Sequence, residues 1–332
     1  MDLFDVYAAD FPEILKDFAK TPSFERLKDV GMHCGCEYTS FRSFSYIKDY
    51  SRWEHSIGVA LIVWNFTKDE KQAVAGLLHD ICTPVFSHVV DFLNKDYVAQ
   101  ESTEAETRQF ILNAPDLKGL LDKYGFDVDE VADYHIYPIA DNDMPGLSAD
   151  RLEYHTGNFL CRGMLKKDEI AKLYSHLYVA KNEESNDELA FDDLDAAKQF
   201  VKLLLSNSRL FVADEDRFSM EYLAGILRKA VDKGILKKED FYLKEKNVIE
   251  KLSGDKELKG EWNKYRSFKE IYSQKEKPED CRAFKVPAKK RYVNPLVKTD
   301  VGLKRVVDIT PELKKELDEF LSVDFDRWIY AK

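Results

Sequence analysis

Histidine is scarce in this 332-residue chain, seven in all, and three of them (His55, His79 and His88) fall in one short stretch with Asp80 and Asp91. His79-Asp80 closes an otherwise apolar run, so an imidazole and a carboxylate can be aimed into one cavity and offered to one cation. His55 follows Arg52-Trp53-Glu54 at the head of the most apolar segment. Asp150 precedes Arg151 in a helical pattern that puts Tyr154 and Asn158 on the same face. Two imidazoles and two carboxylates form a mixed nitrogen and oxygen donor set. Such a set suits Mn, Fe, Co, Ni or Zn better than Ca or Mg and leaves positions open for water and substrate. An open site of this kind lowers the pKa of bound water and stabilises charge on a phosphoryl oxygen. Residue types alone leave a plainer reading standing beside it, in which these histidines are hydrogen-bonded core residues.

The elements that must position these residues are mostly helical. HSIGVALIVWNF (55–66) is apolar on all sides and predicts a buried helix. A second helix runs over 69–78 and ends at His79-Asp80; Pro84 then breaks the chain and a helix restarts over 86–94. Further helices are expected at 102–112, capped by Ser102, and at 147–160, after the turn signal Pro145-Gly146. Residues 173–180 and 188–191 pattern as short strands around a polar turn, and helical patterns follow at 193–206, 214–232 and 256–272. The segment 273–280 has the composition of a linker, 282–309 alternates like strands, and Thr310-Pro311-Glu312 opens a last helix. The expected fold is mainly α: a helical core over 1–165, a helical extension with a short β-hairpin over 166–275, and a small mixed α/β segment over 276–332.

Composition narrows the class. A net charge of −11 argues against bulk attraction to a nucleic-acid backbone. With 14 Gly and 10 Pro the chain is poor in turn formers, which favours long helices. The N-terminus is acidic where an export signal would be basic, and no apolar run approaches the ~18 residues a membrane span needs. The odd, scattered set of five cysteines suits reduced thiols. The expectation is a soluble cytoplasmic protein with no membrane partner.

Three runs, SRWEHSIGVA, AGLLHDICTPVFSHVVDF and SADRLEY, resemble the HD-domain metal-dependent phosphohydrolases in motif and order. Within that superfamily they are most similar to the deoxynucleoside triphosphate triphosphohydrolase branch, and AKKRYVNPLV extends the likeness towards the tail. The resemblance implies an HD-domain helical core with a divalent metal held by His55, His79, Asp80 and Asp150. It implies phosphate contacts from Arg52 and Arg151, a site tyrosine at Tyr154, and His88 acting at the scissile phosphate, oriented by Asp91. Local geometry agrees in two places. Arg52 and His55 share a helical face at i, i+3, and an Asp91 carboxylate three residues from His88 can fix its tautomer and raise its pKa. The implied activity is hydrolysis of a (deoxy)nucleotide phosphate ester by metal-activated water, with self-association as a family-level expectation.

Two departures open alternatives. Cys82 and Thr83 stand where the nucleotide branch has Gly and a second His, and Gln100-Glu101 stands where it has a His-Glu pair. These losses point either to a phosphatase for a monophosphate or other small ester, or to a nucleotide-binding or regulatory protein on a partly degenerate fold. Lys285–Arg305 carries seven basic residues against one acid, the pattern of a solvated strand face or of an anion site. Cys34-Gly35-Cys36 resembles half a zinc site without a second pair, so a turn is the better reading.

Overall fold

A computed structural model describes residues 3–45, 47, 50–93 and 106–332. The expectations for Gln100-Glu101 and for the Ser102 cap lie outside these residues. The described residues form 15 α-helices and seven short strands, so the architecture is mainly α with small sheets towards the C-terminus.

The central helix is Arg52–Thr67. Ser51 caps it: its hydroxyl accepts from the Trp53 amide at 3.2 Å, and the Glu54 carboxylate accepts from the Ser51 amide at 3.0 Å. Residues 55–63 are all buried, as the unbroken apolar run requires. The helix Glu70–Leu78, capped by Asp69, packs along it, and Gly76 lets the two approach until a Cβ there would stand 3.3 Å from Val59. The helix Ala149–Cys161, capped by Ser148, crosses on another side. Gly58 makes that crossing possible, because a Cβ there would lie 2.5 Å from Cγ of Glu153.

The strands are β1 (Leu177–Lys181), β2 (Asp187–Phe191), β3 (Ile271–Gln274), β4 (Ala283–Phe284), β5 (Leu296–Thr299), β6 (Gly302–Arg305) and β7 (Trp328–Ala331). One sheet has the order β1-β2-β5-β6, with β2 and β5 parallel and the hairpins antiparallel; the other is β3-β7-β4. Three expectations shift. The helix expected over 86–94 begins only at Val89, because Phe86 and Ser87 adopt left-handed backbone conformations, and its expected last residue lies outside the described residues. The strand expected from 173 is preceded by a helix, Lys167–Tyr174, and begins at Leu177. The stretch expected as a linker begins with β3, which pairs with the end of the chain at β7.

The apolar interior divides into two main clusters that do not follow chain order. The first gathers the helices 52–67, 70–78, 149–161 and 194–210 with the N-terminal segments. The second is built on the helix Asp214–Asp232 and takes in Phe41, Phe44 and, from the segment after His79-Asp80, Val85, Phe86, Val89 and Phe92. The seam between the clusters therefore runs between His55 and His88.

Candidate metal centre

The structure brings His55, His79, Asp80 and Asp150 together at that seam. His55 sits on the first turn of its helix, His79-Asp80 at the end of the second, and Asp150 in the first turn of the third. His55 Nε2 lies 3.1 Å from Asp150 Oδ1 and 3.8 Å from Asp80 Oδ2; His79 Nε2 lies 3.5 Å from Asp80 Oδ2 and 4.0 Å from Asp150 Oδ1. Donors at ~2.1 Å from one cation stand about 3.0 Å apart when adjacent in an octahedron and about 4.2 Å apart when opposite. All four separations fall within that interval; His55, His79 and Asp80 have donor atoms all within 4.8 Å of one another and could hold a metal ion, with Asp150 beside them.

Neighbouring groups fix the orientation of each donor. His79 Nδ1 lies 2.7 Å from the Gly76 carbonyl, one of the unpaired acceptors at its helix end, so that nitrogen donates and Nε2 keeps its lone pair. His55 Nδ1 lies 2.6 Å from Glu153 Oε2 and is turned the same way. Glu153 is itself held by Tyr50, whose hydroxyl donates to Oε2, and by Tyr7 at 3.4 Å on Oε1. Asp80 accepts from Thr83 Oγ1 and from Arg52 Nη1, both at 2.7 Å, and Tyr134 donates to Asp150 at 3.3 Å. Glu153, Tyr50 and Tyr134 were not singled out in the sequence, although Glu153 follows Asp150 at i+3 on one helical face.

The electrostatics are those of a cation site. Burial opposes charge on the His55 ring, yet hydrogen bonds to Asp150 and Glu153 push it up to about 10. Burial likewise opposes ionised Asp80, and Arg52 with the two histidines overrides it, holding that carboxyl far below the usual range. Asp150 is also held low: burial is overridden by the His55 hydrogen bond and the charge of both histidines. The carboxylates stay ionised and draw positive charge to the place where their oxygens meet the imidazoles.

Around this centre the sequence-derived residues divide. Arg52 reaches it, bonding Asp80 by Nη1 and Ser87 Oγ by Nε at 3.1 Å, while Nη2 has no partner among the described residues. His88 Nδ1 pairs with Asp91 at 2.9 Å as expected. Its pKa, however, is lowered rather than raised: burial leads, opposed by the Asp91 hydrogen bond, and the charges of Arg291 and Arg52 add to the lowering. The Tyr154 ring stands edge-on to His55 at 6.3 Å. Arg151 is engaged by the 141–146 loop. Its Nη1 donates to Asn142 Oδ1 at 2.7 Å and Gly146 O at 2.8 Å, and its Nη2 to Asn142 O, with Asp141 Oδ1 3.1 Å away. A long guanidinium takes the nearest acceptors, and here they belong to the 141–146 loop. Asn158 also turns elsewhere, to His33 at 3.0 Å.

In the sequence Arg291 is one residue of a basic run. It lies in an extended segment pinned at Val286, whose carbonyl accepts from Arg217, and at Asn294, whose amide donates to the Pro145 carbonyl at 2.8 Å. The residue is exposed, and burial of its head group lowers its pKa. Tyr154, Asp150 and Asp91 are among the groups that feel its charge. It makes no ion pair among the described residues.

The fold and the site together define an HD domain, and residues 52–173 match the family model of that description. Over those residues the chain is similar to HD domains. It is similar in sequence to the Uncharacterized protein YdhJ of Bacillus subtilis, 27% identical over 245 residues, which are 73% of this chain and 72% of that protein. It is also similar to the Metal-dependent phosphohydrolase cns2 of Cordyceps militaris, 27% identical over 165 residues, 49% of this chain and 46% of the fungal protein. Two solved structures share the fold, each with a TM-score of 0.67 over 97% of this chain. One is a hypothetical protein from Aquifex aeolicus (19% identity, 93% of that chain), the other the phosphohydrolase BT4208 from Bacteroides thetaiotaomicron (14% identity, 96% of that chain). No described helix is long and apolar enough to cross a membrane.

Proposed function

We propose that this HD domain hydrolyses a phosphate ester of a (deoxy)nucleotide, with the metal held by His55, His79, Asp80 and Asp150. The observation that carries the reading is the convergence of these donors beside an arginine with one terminal nitrogen unengaged. A divalent cation bound there supplies Lewis-acid stabilisation of phosphoryl charge and lowers the pKa of water at the site. Arg52 Nη2 binds a phosphate oxygen, and Arg291 supplies the second positive charge that sequence assigned to Arg151. Water adds to phosphorus as the P–O bond to the leaving group breaks. His88, its Nδ1 engaged by Asp91, gives the proton on Nε2 to the leaving oxygen. If the triphosphohydrolase chemistry of the resembled branch persists, the products are nucleoside and triphosphate.

One observation favours a second reading, a smaller phosphate ester as substrate. Thr83, which replaces a histidine of the nucleotide branch, spends its hydroxyl on Asp80 and presents no acid or base to a polyphosphate. Purified protein loaded with Mn and given deoxynucleoside triphosphates, nucleoside monophosphates and simple phosphate monoesters separates the two by product. Release from either class, abolished in His79→Ala, supports the hydrolase, and the reactive class selects between the readings. Metal-loaded protein inert to all of them contradicts both and leaves a binding or regulatory role. Because the His88 pKa lies below 6.5, turnover limited by its proton falls as pH rises through a value below 6.5. Asp91→Asn, which removes an upward pull, moves that limb to still lower pH.

A further inference from the structure

Glu245 lies outside the HD match, at the start of the helix Glu245–Gly254, and is 2% exposed. Its Oε1 accepts two backbone N–H groups, from Gly31 at 2.9 Å and from Phe86 at 3.2 Å, and its Oε2 accepts from the Tyr38 hydroxyl at 2.7 Å. Each amide belongs to a segment that places a site residue. Gly31 forms an isolated bridge with Ser51, and next to it the Arg52 amide donates to the Val30 carbonyl at 2.9 Å. Phe86 stands two residues before His88. The two segments also meet through Ser87, whose hydroxyl donates to the Gly31 carbonyl at 3.1 Å and accepts from Arg52 Nε at 3.1 Å.

The turn so held is strained. Phe86 and Ser87 have φ of 59° and 48°, in the left-handed region that non-glycine residues rarely adopt. Such a conformation persists only where its surroundings over-determine it. Here the surroundings are the Glu245 carboxylate on the Phe86 amide, the Phe241 carbonyl on the Val85 amide at 2.8 Å, and the Ser87 bonds. Without them the turn can relax into a continuation of the Val89–Leu93 helix, which would swing His88 relative to Arg52.

We infer that Glu245 is a positioning residue that holds Arg52 and His88 in register across the seam between the two apolar clusters. The inference deepens the proposed hydrolase and rests on it for the roles of those two residues. Glu37 shapes the test. From the point where a Cβ on Gly31 would stand, Glu37 Oε1 is 1.8 Å away and Glu245 Oε1 is 3.8 Å away, so two buried carboxylates crowd one glycine. Gln at position 245 keeps an oxygen for both amides and removes that repulsion.

The test uses full-length, metal-loaded protein with Glu245→Gln, Glu245→Asp and Glu245→Ala. The readouts are kcat and KM on whichever phosphate ester the unsubstituted protein turns over, bound metal, and the His88 titration by NMR. Glu245→Gln is expected to stay within about threefold of the parent. Glu245→Ala should keep its metal but lose kcat by about tenfold or more, as a misplaced catalytic group does, and its His88 pKa should move. Glu245→Asp, one methylene shorter, should fall between and serves if the Ala variant does not fold. A lower melting temperature with unchanged kcat and unchanged His88 titration, in either shortened variant, overturns the inference, as does a Gln variant as impaired as Ala. If the parent binds metal but hydrolyses no ester, the hydrolase reading fails. The His88 titration still decides, a shift in the shortened variants supporting the positioning role and no shift ending it.

Discussion

Single side chains at this site are specified to different depths by their own chemistry. His55 and His79 present Nε2 because Nδ1 is engaged, by Glu153 in one case and Gly76 in the other. Removing the negative charge of the group that His55 donates to, while keeping its shape, by Glu153→Gln, should weaken metal affinity by about 10- to 100-fold. Competition with a chromogenic chelator measures this, and an unchanged affinity would show that Glu153 does not orient the ring. The cations near the site are separable in the same way. Arg291→Ala should raise KM for a phosphate ester by about tenfold, the cost of losing a hydrogen bond to a charged group. Arg151→Ala should leave KM near the parent value and act through the 141–146 loop. The opposite ranking would return the phosphate role to Arg151. The convergence of His55, His79, Asp80 and Asp150 was legible in the sequence because short side chains at helix ends have little choice of direction. The two arginines were not, since a guanidinium on a long stem is placed by whichever acceptors the fold brings near.

Among the elements, helices with strong periodicity lie where the sequence puts them: Arg52–Thr67, Glu70–Leu78, Ala149–Cys161 and Asp214–Asp232 follow apolar patterns bounded by caps or turns. Elements decided by distant partners were illegible. The start of the helix at Val89 depends on Glu245 and Arg52, and β3 depends on the chain terminus at β7. The Cys34-Gly35-Cys36 motif is a buried left-handed turn against the helix Asp214–Asp232, with Cys36 Sγ donating to Asp216 Oδ1 at 3.7 Å. Asp216 gives this region a pH dependence. Burial pushes its carboxyl up to about 8, over the opposing Cys36 hydrogen bond and Arg217 charge, from 3.8 for a free side chain. The folded state thus holds a proton that the unfolded chain releases between those values. This contribution to stability is full below the free value and is lost as pH rises towards about 8. Asp216→Asn should therefore gain melting temperature relative to the parent when both move from pH 5 to pH 9. A difference independent of pH would contradict a neutral Asp216.

Across the whole molecule, the metal donors stand on helices of one apolar cluster, and the His88 segment packs in the other. The family model covers 52–173, but the Glu245 carboxylate from beyond it bonds the Phe86 amide, and the charge of Arg291, also beyond it, acts on His88. Anomalous diffraction at the manganese edge, from crystals of the full chain grown with Mn, tests the central claim most directly. The account predicts one strong peak at about 2.0–2.2 Å from His55 Nε2, His79 Nε2 and a carboxylate oxygen each of Asp80 and Asp150. A peak bound elsewhere, or none at this centre with the ion present in the crystal, would contradict it.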